Sequence, residues 1–102
     1  MLVKIHNAYR TSIAICDLDL LGKKFEEESN EKTLEIDLTG SFFQGQEKSE
    51  EEIEKIVKSG LEEDATFNIV GKKSCDLMKK LGVVSDSSIL RISGIPVSLS
   101  LM

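Results

Sequence analysis

Residues 66–101, TFNIVGKKSCDLMKKLGVVSDSSILRISGIPVSLSL, carry the most regular pattern in the chain. Small and apolar side chains recur there at positions i, i+4, i+7, i+8 and i+11, while lysines fall between them. The members of this stripe are Val70, Ser74, Leu77, Met78 and Leu81. The spacing predicts a helix with one buried face that runs to Gly82.

Both ends of this predicted helix carry recognisable signals. The side chain of Asn68 is able to accept hydrogen bonds from the first backbone N–H groups, which predicts it as the N-cap. Gly82 suits the left-handed conformation at the exit. Lys79 and Lys80 would face the negative end of the helix dipole.

Two strands are expected after this helix. Residues 89–92 are mostly apolar, and residues 97–101 alternate strictly between apolar and serine. Gly94-Ile95-Pro96 separates the two runs. They predict an antiparallel pair with one face on the helix.

Three strand-like runs precede the central part of the chain. Leu2–His6 and Ser12–Cys16 flank a polar stretch of five residues, which predicts a β-hairpin. Residues 33–38 alternate between apolar and polar side chains, which predicts a strand with one buried face.

Two further helices are expected. A short one follows Asp17, because apolar side chains recur at i, i+3 and i+7 from Leu18 to Phe25. Ser49 with Glu52 has the spacing of a capping box, which predicts an amphipathic helix that ends near Gly60.

The length of 102 residues suits one domain spanning 1–102, large enough to bury a core without metals or disulfides. We therefore predict an α+β fold, a small mixed or antiparallel sheet covered by about three helices. No run approaches the roughly 18 apolar residues of a membrane span, and the N-terminus lacks a secretory signal. A cytoplasmic protein with no membrane association is expected.

The residues that catalysis or metal binding would need are scarce. His6 is the only histidine, and no metal-ligand spacing joins it to Cys16 or Cys75. Each cysteine precedes an aspartate, whose charge raises a thiol pKa and so disfavours a reactive thiolate. We predict no catalytic residue, no metal and no cofactor, and lean away from an enzyme.

Charge is strongly segregated along the chain. Residues 26–64 hold 14 acidic and 4 basic side chains, a balance of −10, while the remainder holds 9 basic and 4 acidic, +5, which sum to −5. If the basic segments adjoin in the fold, they form a face able to neutralise phosphates. The candidate anion or nucleic-acid contacts are Arg10, Lys23, Lys24, Asn68, Gly71, Lys72, Lys73, Lys79, Lys80 and Arg91.

Three functions are compatible with these features. The first is a non-catalytic module that binds RNA or a ribonucleoprotein through the basic residues. The second is a site for an anion or phosphorylated small molecule, serving binding or an enzyme reaction, at the predicted helix start from Asn68 to Gly71. The third is a protein adaptor or homodimer that uses an exposed strand edge or Phe42-Phe43.

Short ordered motifs extend over nearly the whole chain. They are Cys16-Asp17, Leu20-Leu21-Gly22-Lys23, Phe25, Phe42-Phe43, Gly45, Ser49-Glu50-Glu51, Asn68-Ile69-Val70-Gly71, Gly82-Val83-Val84, Ile89-Leu90-Arg91-Ile92 and Gly94-Ile95-Pro96. Together they resemble the uncharacterised archaeal domain-of-unknown-function family four hundred and twenty-four. The resemblance implies an archaeal intracellular protein and supplies no established site residues.

Overall fold

The computed structural model describes residues 1–29 and 32–99 and contains a six-stranded mixed sheet, a separate two-stranded hairpin and two α-helices. The strands are β1 Leu2–His6, β2 Ser12–Cys16, β3 Lys24–Ser29, β4 Lys32–Asp37, β5 Gln46–Glu47, β6 Thr66–Val70, β7 Leu90–Ile92 and β8 Ile95–Leu99; the helices are α1 Glu50–Glu62 and α2 Lys72–Lys80. The α+β class and the mixed sheet are confirmed.

The large sheet has the order β5-β1-β2-β6-β8-β7, with β2 and β6 at its centre. These two strands are parallel and in register from Ser12 opposite Thr66 to Cys16 opposite Val70. All other neighbours in the sheet are antiparallel. Both central strands are therefore flanked on each side, which suits their almost uninterrupted apolar sequences.

The central sheet is covered on both faces, so the molecule has three layers. Successive residues of β2 face opposite sides of the sheet. Ala14 and Cys16 pack with the β3–β4 hairpin, while Ile13 and Ile15 pack with both helices. Ile13 and Ile15 are essentially inaccessible to solvent, and burying such a side chain stabilises the fold by about 1.5–3 kcal/mol.

The helix predicted after Asp17 is absent, and this is why the structure has two α-helices rather than about three. Only a 3-10 turn forms, at Leu18–Leu20, and Gly22 then adopts a φ of +85°. Phe25 lies in β3, which pairs along its length with β4. The acidic residues after Phe25 would be unfavourable at the negative end of a helix dipole. In the hairpin Glu26 and Glu28 are exposed, and Glu27 accepts a hydrogen bond from the backbone N–H of Ser93 at 3.1 Å.

The strand predicted over residues 33–38 is confirmed as β4, but it pairs with β3 instead of joining the large sheet. Ile36 and Leu38 are buried against the face of the large sheet. The β3–β4 hairpin thus covers this side of the core.

Helix α1 begins at the predicted capping box but continues past Gly60 to Glu62. A Cβ atom at Gly60 would lie 2.6 Å from Cδ1 of Ile13. Gly60 therefore allows α1 to approach the sheet closely instead of ending the helix.

The predicted C-terminal strand pair is confirmed as β7 and β8, joined by a tight turn at Ser93 and Gly94, both with positive φ. The second strand begins two residues earlier than expected and includes Pro96. Residues 100 and 101, at the end of the predicted strand, lie outside the described residues.

Candidate functional site

The junction between β6 and α2 depends on Gly71, which has a φ of +113° and a ψ of 157°. This region of backbone space is accessible essentially to glycine alone. A Cβ atom here would also lie 2.3 Å from Cγ of Asp17. Gly71 therefore permits both the turn and the close approach of the aspartate.

Asp17 occupies the N-terminus of α2. One carboxylate oxygen accepts the backbone N–H of Lys73 at 3.1 Å, and the other accepts both the N–H and the hydroxyl of Ser74, at 2.8 and 2.7 Å. Only 6% of Asp17 is exposed. Because β2 and β6 are parallel, Asp17 and Gly71 follow their strands at the same end of the sheet. The fold therefore brings the carboxylate to the helix start.

The predicted cap by Asn68 is wrong, because the strand continues through Val70 and the helix begins only at Lys72. Asn68 lies in β6, is buried, and donates from Nδ2 to Oγ of Ser12 at 3.1 Å. The anion site predicted from Asn68 to Gly71 needed free backbone N–H groups at the helix start. The N–H groups of Lys73 and Ser74 already donate to Asp17 there. Asp17 is the capping residue of this junction, and its role at α2 was not predicted from the sequence.

The lysines of α2 form two rows on its surface. Lys72 and Lys79 make one row and Lys73 and Lys80 the other, with about 10 Å between members of a row at 1.5 Å rise per residue. Arg91, from β7, lines the same cleft of about 370 Å³ as Lys72 and Lys79. We call these five residues the basic face.

Two aspartates neutralise part of the basic face. Asp76 lies 3.1 Å from Nζ of Lys72 and 3.6 Å from Nζ of Lys79, and its pKa is lowered mainly by the hydrogen bond from Lys72. Asp86 accepts a hydrogen bond from Lys79 at 3.1 Å, which raises the pKa of that lysine. These contacts are exposed and worth little individually.

Three cations of the basic face remain without a carboxylate partner. Within residues 1–29 and 32–99, Lys73, Lys80 and Arg91 form no ion pair. Five basic side chains stand against Asp76, Asp86 and Glu50, which lines a cavity with Lys73 and Lys80. The side chains of this surface therefore have a balance of +2 on a chain of net charge −5. The basic face is thus an electropositive patch on an acidic protein.

The remaining candidate residues lie elsewhere. Arg10 precedes β2, at the opposite end of the parallel strands from Gly71, and pairs with Asp64 at 3.3 Å. Lys24 belongs to the hairpin on the other side of the sheet and pairs with Glu26 and Glu35. Lys23 is exposed in the turn that leads into that hairpin. The basic residues of the two chain ends therefore do not meet on one surface. The basic face comes from α2 and β7 alone, both in the C-terminal part of the chain, and excludes Arg10 and Lys24.

Both thiols are buried on opposite faces of the sheet. Burial, with a further contribution from Asp17, raises the pKa of Cys16 and of Cys75 to about 11. In the part of the chain that the structure describes, no group of three His, Cys, Asp or Glu side chains could hold a metal ion. Neither described helix is long and apolar enough to span a bilayer.

Comparisons with known proteins establish the family and support the fold. The sequence model of a family described as "Protein of unknown function (DUF424)" matches residues 6–100. An uncharacterized conserved protein from Methanopyrus kandleri has a similar crystal structure, with a TM-score of 0.77 and 23% sequence identity over 97% of this chain and 88% of that one. No curated protein matches the sequence.

Proposed function

Because this chain belongs to the DUF424 family, whose description assigns no function, we propose one from its own surface: binding of structured RNA, alone or in a ribonucleoprotein, through the basic face. The observation that supports it is the set of cations without an ion-pair partner: Lys73 and Lys80 on one row of α2, and Arg91 beside the other row. Cations that carry no internal partner contact phosphates without first breaking an ion pair. The protein then acts as a binding module of an archaeal cytosol rather than as an enzyme.

The two helices give this binding a direction. Both pack on the same face of the sheet, yet α1 carries five glutamates and two lysines, whereas α2 carries four lysines and one aspartate. A polyanion is attracted to α2 and repelled by α1. The complex is therefore oriented, with α2 and β7 towards the nucleic acid.

The chemistry of the basic face favours contacts with the RNA backbone over contacts with bases. None of its five residues is aromatic, and the most exposed aromatic side chain, Tyr9, lies in the turn between β1 and β2. Single-strand binding proteins usually stack bases on aromatic side chains. A duplex or hairpin RNA, recognised by shape and phosphate position, suits this surface better.

The test is a fluorescence anisotropy titration with a labelled RNA hairpin at several salt concentrations. The affinity should fall with salt, and Lys73→Glu or Lys80→Glu should each weaken binding and reduce the salt slope by about 1. Asp76→Asn should tighten binding, because it releases Lys72 and Lys79 from their shared carboxylate.

The matched control is Lys58→Glu, which makes the same charge change on α1, where Lys58 pairs with Glu54. This variant should leave the affinity for the RNA hairpin unchanged to within about twofold, since Lys58 lies outside the basic face. Binding that is insensitive to salt, or that Lys58→Glu weakens as much as Lys73→Glu does, would remove the proposal.

A further inference from the structure

A groove runs along the outer edge of β1, beside helix α1. It consists of two adjoining cavities of about 480 and 410 Å³ that share Ile5 and Ile56. One extends towards residues 44–48 and the other towards residues 59–63. We call them together the edge groove; each has the size of a typical ligand site.

The backbone of Ile5 is open to this groove. The N–H and C=O of alternate residues point to the same side of a strand. Met1 accepts a hydrogen bond from Lys48 on the β5 side, and Val3 pairs with Gln46 there, so Ile5 directs its backbone groups to that same side. Because β5 is only two residues long, no strand in the described chain pairs with Ile5 on that side.

The loop before β5 does not fill the space, because its anchors hold it towards the hairpin side of the sheet. Phe43 is buried in the core beneath the hairpin, and the carbonyl of Ser41 accepts a hydrogen bond from Nζ of Lys4 at 2.8 Å. A Cβ atom on Gly45 would lie 2.1 Å from the carbonyl oxygen of Val3, so the chain passes tightly against the strand there. Ile5 is left 46% exposed.

The lining of the edge groove combines an apolar floor with a basic rim. Val3, Ile13 and Ile56 form the floor around Ile5. The charged side chains that line the cavities are Lys4, Lys48 and Lys55 against Glu63. Lys48 pairs with Glu52 at 3.7 Å, whereas Lys55 forms no ion pair within the described residues. Such a surface complements a chain that offers backbone hydrogen bonds, apolar side chains and negative charge.

We propose that the edge groove binds an extended peptide segment of a partner protein, which adds as a short strand beside Ile5. Strand addition satisfies the open backbone groups, and side chains at alternate positions of the peptide enter the apolar floor. An acidic residue at the flank of the peptide pairs with Lys55, which has no ion-pair partner among the residues that the structure describes. This interaction is independent of RNA binding, because it uses α1 and β1 rather than α2 and β7.

The experiment selects binders from a display library of random peptides on the intact protein. Enriched sequences should carry apolar residues two positions apart with neighbouring Asp or Glu. A synthetic peptide of the consensus sequence should shift the amide resonances of Ile5 and Asn7 and slow hydrogen exchange at Ile5. Absence of a consensus, or shifts confined to other elements, would overturn the proposal.

Ile5→Glu is the decisive variant and Leu90→Glu its control. Ile5→Glu should weaken the consensus peptide by at least about tenfold, because a carboxylate enters the apolar floor opposite acidic residues. Leu90, 60% exposed on the other edge strand, provides the same substitution outside the groove and should not change affinity. Equal affinity of both variants would contradict the proposal.

Sedimentation of the free protein separates a peptide partner from a second copy of this chain. A monomer at all concentrations is expected. A dimer that Ile5→Glu dissociates would assign the edge groove to self-association and overturn the peptide proposal.

Discussion

Helices α1 and α2 pack on the same face of the sheet but begin in opposite ways. At α1 the hydroxyl of Ser49 accepts the N–H of Glu52 at 3.2 Å, and the Glu52 carboxylate accepts the N–H of Ser49 at 3.2 Å. At α2 the cap comes from Asp17, 56 residues before Lys73. One helix start is encoded locally, and the other exists only in the folded protein.

The first turns differ in charge as well. Three glutamates stand at the positive end of the α1 dipole, whereas α2 begins with Lys72 and Lys73, an unfavourable placement. Asp17, directly after β2, supplies the missing negative charge. The consequence is that α2 can carry lysines at both ends, which makes the basic face possible.

Gly71→Ala should have the largest effect on stability. The substitution forces an L side chain into a glycine-only conformation and displaces Asp17, so the free energy of unfolding should fall by about 4 kcal/mol. Urea denaturation measures this. The control is Gly82→Ala, which is also at a positive φ but has no atom within 4 Å of the added Cβ. It should lower the free energy of unfolding by less. Equal losses would show that the Asp17 contact is unimportant.

Asp17→Ala should destabilise the protein by about 3 kcal/mol, since it leaves buried N–H and hydroxyl donors at Lys73 and Ser74 without their charged acceptor. Asp19→Ala removes an exposed carboxylate two residues away and should change the unfolding free energy by less than about 0.5 kcal/mol. If both variants unfold at the same urea concentration, α2 does not depend on this cap.

Ser49→Ala should lower the free energy of unfolding by only about 1 kcal/mol. It removes one exposed cap from a helix that is also stabilised by packing on the sheet. Thermal or urea unfolding measures it. A loss as large as that of Asp17→Ala would contradict the contrast between the helices.

The α1 cap should also depend on pH. Hydrogen bonds from the backbone and hydroxyl of Ser49 lower the pKa of Glu52. A lowered pKa in the folded state means that this contribution is present above the ordinary glutamate pKa and lost as pH falls through the lowered one. Glu52→Gln should therefore flatten unfolding stability against pH in the acidic range. An unchanged acid profile would contradict the assignment.

The smallest expected effect is on thiol labelling of the native protein. With both thiol pKa values raised to about 11, neither Cys16 nor Cys75 should react with a thiol reagent at pH 8, whereas both should in urea. In Asp17→Ala, Cys75 should react before Cys16, because Cys75 lies on α2. Simultaneous reaction would show that the helix does not loosen separately.

Local sequence signals correctly predicted the features that are set by residues close by in the sequence. The β1–β2 hairpin, the start of α1 and the left-handed exit of α2 at Gly82 all depend on neighbouring residues, and all are found. Elements decided by distant contacts were misjudged. Phe25 fits a helical spacing, yet pairing with β4 places it in a strand.

The same distinction applies to the candidate site. Four lysines of the basic face share one helix, so their proximity follows from their spacing, and Arg91 joins them only through the position of β7. Neither the separation of Arg10 nor the cap by Asp17 has a local signal. An aspartate directly after an apolar strand was the one hint, because parallel strands place their carboxyl ends together.

The bond between Asp17 and the first turn of α2 also orders the assembly of the chain. Helix α1 has its cap as soon as residues 49–62 have been synthesised, and it can form early on the ribosome. Helix α2 gains its cap only after a loop of more than fifty residues has closed between β2 and β6. The positively charged surface therefore depends on a contact that only the completed central parallel pair supplies.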